Sequence, residues 1–115
     1  MNPLKALPTT IYTSNSSKIS GMALDIAEQL LFVAEENGCI FQASLNLSKI
    51  NDEKKEVICQ KSGLNVKPSI LSVDWLNKEL YILGEMIGNS AHQSTRTWSI
   101  SRCDYEGKNL IVAYG

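Results

Sequence analysis

Apolar and polar positions alternate along most of this chain in short runs, each closed by polar or glycine-containing turns. In "MALDIAEQLLFVAEE", from Met22 to Glu36, an apolar stretch ends on Asp25, a turn follows, and a second apolar stretch begins at Leu30. "ILSVDWLNKELYILGE", from Ile70 to Glu85, repeats the pattern with Asp74 as its acid. The two acids stand 49 residues apart. At that offset Leu24 meets Val73, Ile26 meets Trp75, Leu31 meets Leu80, Phe32 meets Tyr81 and Val33 meets Ile82. Downstream, Ile40–Ser44 corresponds to Ile100–Asp104 once an insertion of 11 residues is allowed, and Glu56–Gln60 corresponds to Leu110–Tyr114. Self-similarity at a period of about 40–50 residues signals a solenoid, a propeller or an array.

Each unit holds four β-rich runs. In the first they are Ile19–Asp25, Leu30–Ala34, Ile40–Leu45 and Glu56–Gln60; in the second, Ser69–Asp74, Leu80–Gly84, Trp98–Cys103 and Asn109–Tyr114. Branched and aromatic residues fill these runs, and turn residues separate them. Glu36-Asn37-Gly38 is a hairpin signal, with Asn37 and Gly38 both tolerant of positive φ, and the Tyr105–Asn109 stretch around Gly107 is a second tight turn. Helical periodicity of useful length is missing. The pattern therefore predicts an all-β chain: a partial β-propeller of about two four-stranded antiparallel blades, at residues 19–60 and 69–114. Thr9–Thr13 is expected to be the outer strand of a preceding blade, making residues 1–115 one propeller segment. A blade packs on both faces, so two blades should leave apolar faces open, with Leu31, Phe32, Leu80 and Tyr81 uncovered. The chain then reads as part of a longer protein, a homo-oligomeric propeller being the less favoured alternative.

The second unit resembles the YWTD repeat, also called the low-density-lipoprotein receptor class B repeat. Val73-Asp74-Trp75, Leu80-Tyr81, Ile100, Arg102, Asp104 and Gly107 carry the likeness, and in the first unit Leu24-Asp25, Leu31-Phe32 and Ile40 do. The signature tetrapeptide departs from the family form: it reads Phe32-Val33-Ala34-Glu35 in one unit and Tyr81-Ile82-Leu83-Gly84 in the other. The resemblance implies six-bladed closure and a binding rather than catalytic role. The phrase around Trp75 is also similar to the extracellular propellers of Sevenless/Ros receptor tyrosine kinases. That likeness implies an extracellular receptor segment, although no kinase motif is present in the sequence.

Composition supports a folded domain and excludes some partners. Hydrophobic residues make up 43% and charged residues 20% of 115, enough for one ordinary core. With 11 basic and 12 acidic residues the net charge is −1, which gives no field for nucleic acid or an anionic membrane. The apolar runs are too short to span a bilayer, and the first ten residues hold no apolar core of signal-peptide length. The expected partner is a protein ligand or another domain of the same receptor, at the outer side of the plasma membrane.

Candidate chemistry is sparse. Asp25 and Asp74 each end a strand before a turn, where a carboxylate fixes turn geometry by accepting backbone N–H bonds. Trp75 and Trp98 read as packing residues. Phe32 and Tyr81 lie in equivalent strands and are expected to pack between neighbouring blades. His92 and Arg96 lie in the inserted loop and are the first residues to test for partner contact. No cofactor or metal is expected, since His92 is the sole histidine and the three cysteines show no CxxC spacing. Those cysteines are either buried small residues or one disulfide plus a free thiol. The register of the hairpin around residues 46–55 puts Cys39 opposite Cys59 or its neighbour, so a bridge would join these two and leave Cys103 free or paired elsewhere. Asn15-Ser16-Ser17 and Asn46-Leu47-Ser48 are glycosylation sequons.

Three functions compete on this evidence. The first is a non-catalytic extracellular binding module of a receptor. The second is a fragment of a propeller enzyme of hydrolase type, which would need acids or metal ligands converging on a central channel. The third is an intracellular propeller scaffold, in which the sequons go unused and the cysteines stay reduced.

Overall fold

The computed structural model describes residues 12–14, 17–46, 54–87 and 97–114. Among the described residues eight strands run in chain order: β1 (Ile19–Asp25), β2 (Leu30–Glu35), β3 (Cys39–Ser44), β4 (Lys55–Cys59), β5 (Val66–Asp74), β6 (Glu79–Met86), β7 (Trp98–Asp104) and β8 (Ile111–Tyr114). They form two four-stranded sheets, ordered β1-β2-β3-β4 and β5-β6-β7-β8, with every neighbouring pair antiparallel. A single 3₁₀ turn, Gln60–Ser62, joins the sheets. The expected outer strand ahead of β1 is not seen in its described part: Tyr12 and Thr13 belong to no strand, and Thr9–Ile11 lie outside the described residues.

The repeat extends to the irregularities of the ladders. The β1–β2 pair shifts register between Ile19 and Gly21, and the β5–β6 pair shifts between Pro68 and Ile70, the same positions one repeat on. The β3–β4 pair shifts between Ile40 and Phe41, and the β7–β8 pair between Ile100 and Ser101. Bulges add twist and set which face a side chain takes. In the first turn of each unit, Gln29 and Lys78 both adopt φ of 56°. In the Glu36-Asn37-Gly38 turn, only Gly38 takes a positive φ, at 94°.

The sheets pack face to face around one cluster. Phe32, Ala34, Ile40 and Ile58 of the first sheet meet Val66, Leu71, Leu80, Ile82 and Cys103 of the second, with Leu64 of the connection filling in. Phe32 and Tyr105 rings stand 4.7 Å apart across this joint. Backbone approaches backbone closely enough to dictate glycine: a Cβ on Gly107 would lie 2.0 Å from the Val57 carbonyl oxygen, and one on Gly84 would lie 2.1 Å from that of Lys67. The second contact explains why the tetrapeptide of the second unit ends in Gly84.

The two faces of each sheet are chemically different, and front meets back. Phe32 and Ala34 face the joint from the first sheet, whereas their repeat equivalents Tyr81 and Leu83 point away from it. Leu80 and Ile82 face the joint from the second sheet. The expectation that Leu31, Phe32 and Leu80 stand uncovered is therefore corrected: they are 7%, 0% and 0% exposed. Phe32 and Leu80 lie in the joint, where each is covered by the sheet the other belongs to. An open apolar surface is the outward face of the second sheet, where Ile70, Leu83 and Ile100 form one cross-strand row beside Tyr81, with Ile70 55% exposed; Met22 and Leu24 of β1 are exposed as well. Tyr81 thus does not pack between the described sheets as Phe32 does.

Candidate functional site

The acids of the repeated phrase are turn-fixing groups. Asp74 Oδ1 accepts the amides of Leu76 and Asn77 at 3.2 Å each, and Oδ2 accepts the Asn77 side-chain amide at 2.8 Å. Those bonds, the Asn77 side chain first, hold the Asp74 carboxyl below its ordinary value. Asp104 does the same at the β7–β8 turn: burial pushes its carboxyl up, but the amides of Lys108 and Glu106 outweigh that and lower it. Gly107 closes this turn with φ of 81°. Arg102 pairs with Glu79 at 3.2 Å on the outward face of the second sheet, across from Tyr81.

Asp25 does more. Its Oδ1 accepts the Glu28 amide at 3.0 Å, while Oδ2 accepts the Tyr105 hydroxyl at 2.6 Å from the other sheet. Lys78 approaches Oδ2 at 3.7 Å and pairs with Glu28 at 2.8 Å. The Tyr105 hydroxyl above all holds this buried carboxyl below its ordinary value, against the desolvation that raises it. Beside this tie, Leu24, Ile26, Ala27 and Trp75 line an apolar hollow of about 310 Å³.

Cys39 and Cys59 lie directly opposite each other on β3 and β4 and are joined by a disulfide, Cα atoms 4.1 Å apart. After Ile40 the register shifts by one residue, so that Phe41 faces Glu56 and Gln42 faces Lys55. Glu56 is close enough to share an ion with the two sulfurs, but sulfurs joined in a disulfide are not thiolate ligands. Cys103 is free and buried, its thiol pushed up to about 11 by desolvation.

The recessed polar surface lies at the other rim. The β2–β3 turn, the link into β5 and the end of β6 surround a cavity of about 400 Å³ lined by Glu36, Asn37, Gln60, Lys67, Glu85, Met86 and Ile87. A second hollow of about 260 Å³ shares Glu36, Lys67 and Glu85 and extends to Ser20 and Trp98. Both hollows are lined by Glu36, Lys67 and Glu85, and half-exposed Met86, Ile87 and Trp98 contribute to one or the other. Tryptophan and methionine side chains are over-represented in protein contacts, with polar groups around them. Met86 N donates to the Thr97 carbonyl at 2.7 Å, closing the base of the inserted loop at this rim. His92 and Arg96 of that loop lie outside the described residues, as does Asn15. Asn46 follows β3, its amide donating to Ser44 Oγ at 3.1 Å. Of the rim residues, Trp98 is expected from the sequence to be a packing residue, and that is corrected, as it is for Trp75: they are 49% and 55% exposed. Glu36, Lys67 and Glu85 are not grouped with it by the sequence, because they come from separate parts of the chain. The repeat alignment, read for turns as well as strands, carries the signal that groups them.

With this geometry in place, comparison with known proteins adds a likeness of fold. No family model matches the chain, and no curated protein matches it. Among solved structures, a chain in the crystal structure of a nidogen/laminin complex superposes with a TM-score of 0.64 at 18% identity, over 84% of this chain and 31% of that one. The chain thus spans about a third of the length of that protein. The likeness, with the two antiparallel four-stranded sheets, identifies the fold as part of a β-propeller.

Proposed function

We propose that this chain is a non-catalytic, protein-binding propeller segment of an extracellular receptor, and that Glu36, Lys67, Glu85 and Trp98 carry the contact. The observation behind this reading is the recessed mixed-charge rim with its aromatic border, placed where the inserted loop bearing His92 and Arg96 is anchored. The likeness to a chain in a protein–protein complex supports it. The disulfide is compatible with an oxidising compartment, and among the described residues no helix is long and apolar enough to cross a membrane. The parent is read as a Sevenless/Ros-type receptor tyrosine kinase on the sequence resemblance around Trp75.

A panel of secreted and cell-surface proteins probed with the purified chain tests the reading. The expected result is a partner whose binding weakens at least tenfold on Lys67→Glu or Trp98→Ala and is unchanged by Leu76→Ala at the opposite rim. Binding indifferent to the first two substitutions, or no binding across the panel, overturns it. Full-length transcripts that join this segment to a transmembrane helix and a kinase domain test the identity of the parent.

A further inference from the structure

A second site lies on the outward face of the first sheet, near its outer strands. The Lys54 ammonium stands 4.7 Å from the centre of the Tyr12 ring and 4.6 Å from that of Phe41, the two rings lying 6.4 Å apart and tilted by 43°. Glu35 closes the base of this cage. Its carboxylate accepts the Tyr12 hydroxyl, stands 3.6 Å from the Lys54 nitrogen and takes the Asn37 side-chain amide at 3.4 Å. The ammonium also donates to the Tyr12 oxygen at 3.3 Å and the Thr13 carbonyl at 3.4 Å.

The Glu35 side chain is only 3% exposed and that of Lys54 is 30% exposed. A carboxylate so far out of water requires a cation, because an unpaired buried charge is strongly destabilising. The ring faces attract the same cation through their quadrupoles. Four groups from three parts of the chain therefore converge on one positive head, and Lys54 is the one member that enters from solvent.

We propose that Tyr12, Phe41, Glu35 and the Thr13 carbonyl form a binding site for a primary alkylammonium group, such as a lysine side chain carries, and that Lys54 is its resident occupant. An external ammonium competes with a tethered one, so the native site is masked by the high effective concentration of Lys54. The carbonyl and carboxylate acceptors select a head that can donate hydrogen bonds. A primary ammonium fits better than a fully methylated one. The site stands on this geometry and does not depend on the rim contact proposed above.

The test uses the whole chain with Lys54→Ala, and ethylammonium chloride, tetramethylammonium chloride and sodium chloride at equal ionic strength as probes. The expected result is that Lys54→Ala binds ethylammonium at least tenfold more tightly than the unsubstituted chain, by ligand-observed NMR. Its thermal midpoint should also recover with ethylammonium, less with tetramethylammonium and not with sodium. Adding Phe41→Ala should remove the binding. Lys54→Met, which keeps the apolar stem and loses the charge, serves as the second variant. If Lys54→Ala folds only when ethylammonium is present, the proposal stands; if neither variant responds to ethylammonium more than to sodium, it falls. Equal affinity of the unsubstituted and variant chains, or binding that survives Phe41→Ala, also overturns it.

Discussion

Asp25 shows how one repeated residue acquires a second task. Both Asp25 and Asp74 fix the turn after an inner strand, but only Asp25 also takes the hydroxyl of Tyr105 from the neighbouring sheet. Tyr105→Phe should cost about 2 kcal/mol, since it leaves a buried carboxylate short of a charge-assisted bond. Urea unfolding measures that loss. The pH dependence follows from the same contact. Asp25 lies below its ordinary value of 3.8, so its stabilisation is complete above that pH and is lost as the pH falls through the lowered folded value. The acid-side loss of the thermal midpoint should be shallower in Tyr105→Phe than in the unsubstituted chain; superimposable profiles would remove Asp25 from this role. At Cys103, burial and a thiol pushed up to about 11 should make alkylation at pH 8 slow until the chain is unfolded. The turn role of both acids was legible in the sequence, because an acid before a polar turn has a local partner. The Tyr105 contact was not, because 80 residues separate its two ends.

At the scale of elements, the strands and their order follow from the spacing of apolar runs, and the Cys39–Cys59 pairing follows from the hairpin register. What alternation does not settle is which face of a strand meets its neighbour. Leu31-Phe32 and Leu80-Tyr81 are apolar on both sides, so no polar residue marks an exterior. The expectation of an uncovered Phe32 failed for that reason. The cage around Lys54 was equally illegible, since Tyr12, Glu35, Phe41 and Lys54 come from separate parts of the chain. Two measurements bear on the elements. Gly84→Ala puts a Cβ against the Lys67 carbonyl, a rigid neighbour, and should destabilise by about 1–3 kcal/mol; an unchanged denaturation midpoint would mean that β5 and β6 can part there at no cost. Reducing the disulfide reopens a loop with a sequence separation of 20 and should cost about 3 kcal/mol on the chain-entropy account. Denaturant midpoints with and without a reductant, read beside a Cys39→Ala/Cys59→Ala double variant, give the value.

For the molecule as a whole, one unmatched surface is the outward face of the second sheet. Ile70, Leu83 and Ile100 lie in one row there, with Ile111 45% exposed on the neighbouring strand. A contiguous apolar face of this kind promotes association in water. The purified chain should bind a hydrophobic dye and sediment with a concentration-dependent mass, and Ile70→Lys should reduce both effects. A monomer unchanged at high concentration, with no dye bound, would overturn this expectation. The packing of Phe32 and Ala34 against Leu80 and Ile82 has a consequence for how such a chain lengthens. Because the front of one sheet receives the back of the next, a tandem duplication of the coding segment would bring with it the surface its own copy needs, with no fresh complementarity to be selected. After such an event, the first substitutions to matter would be paired ones, a change on one unit's front answered by a change on its successor's back.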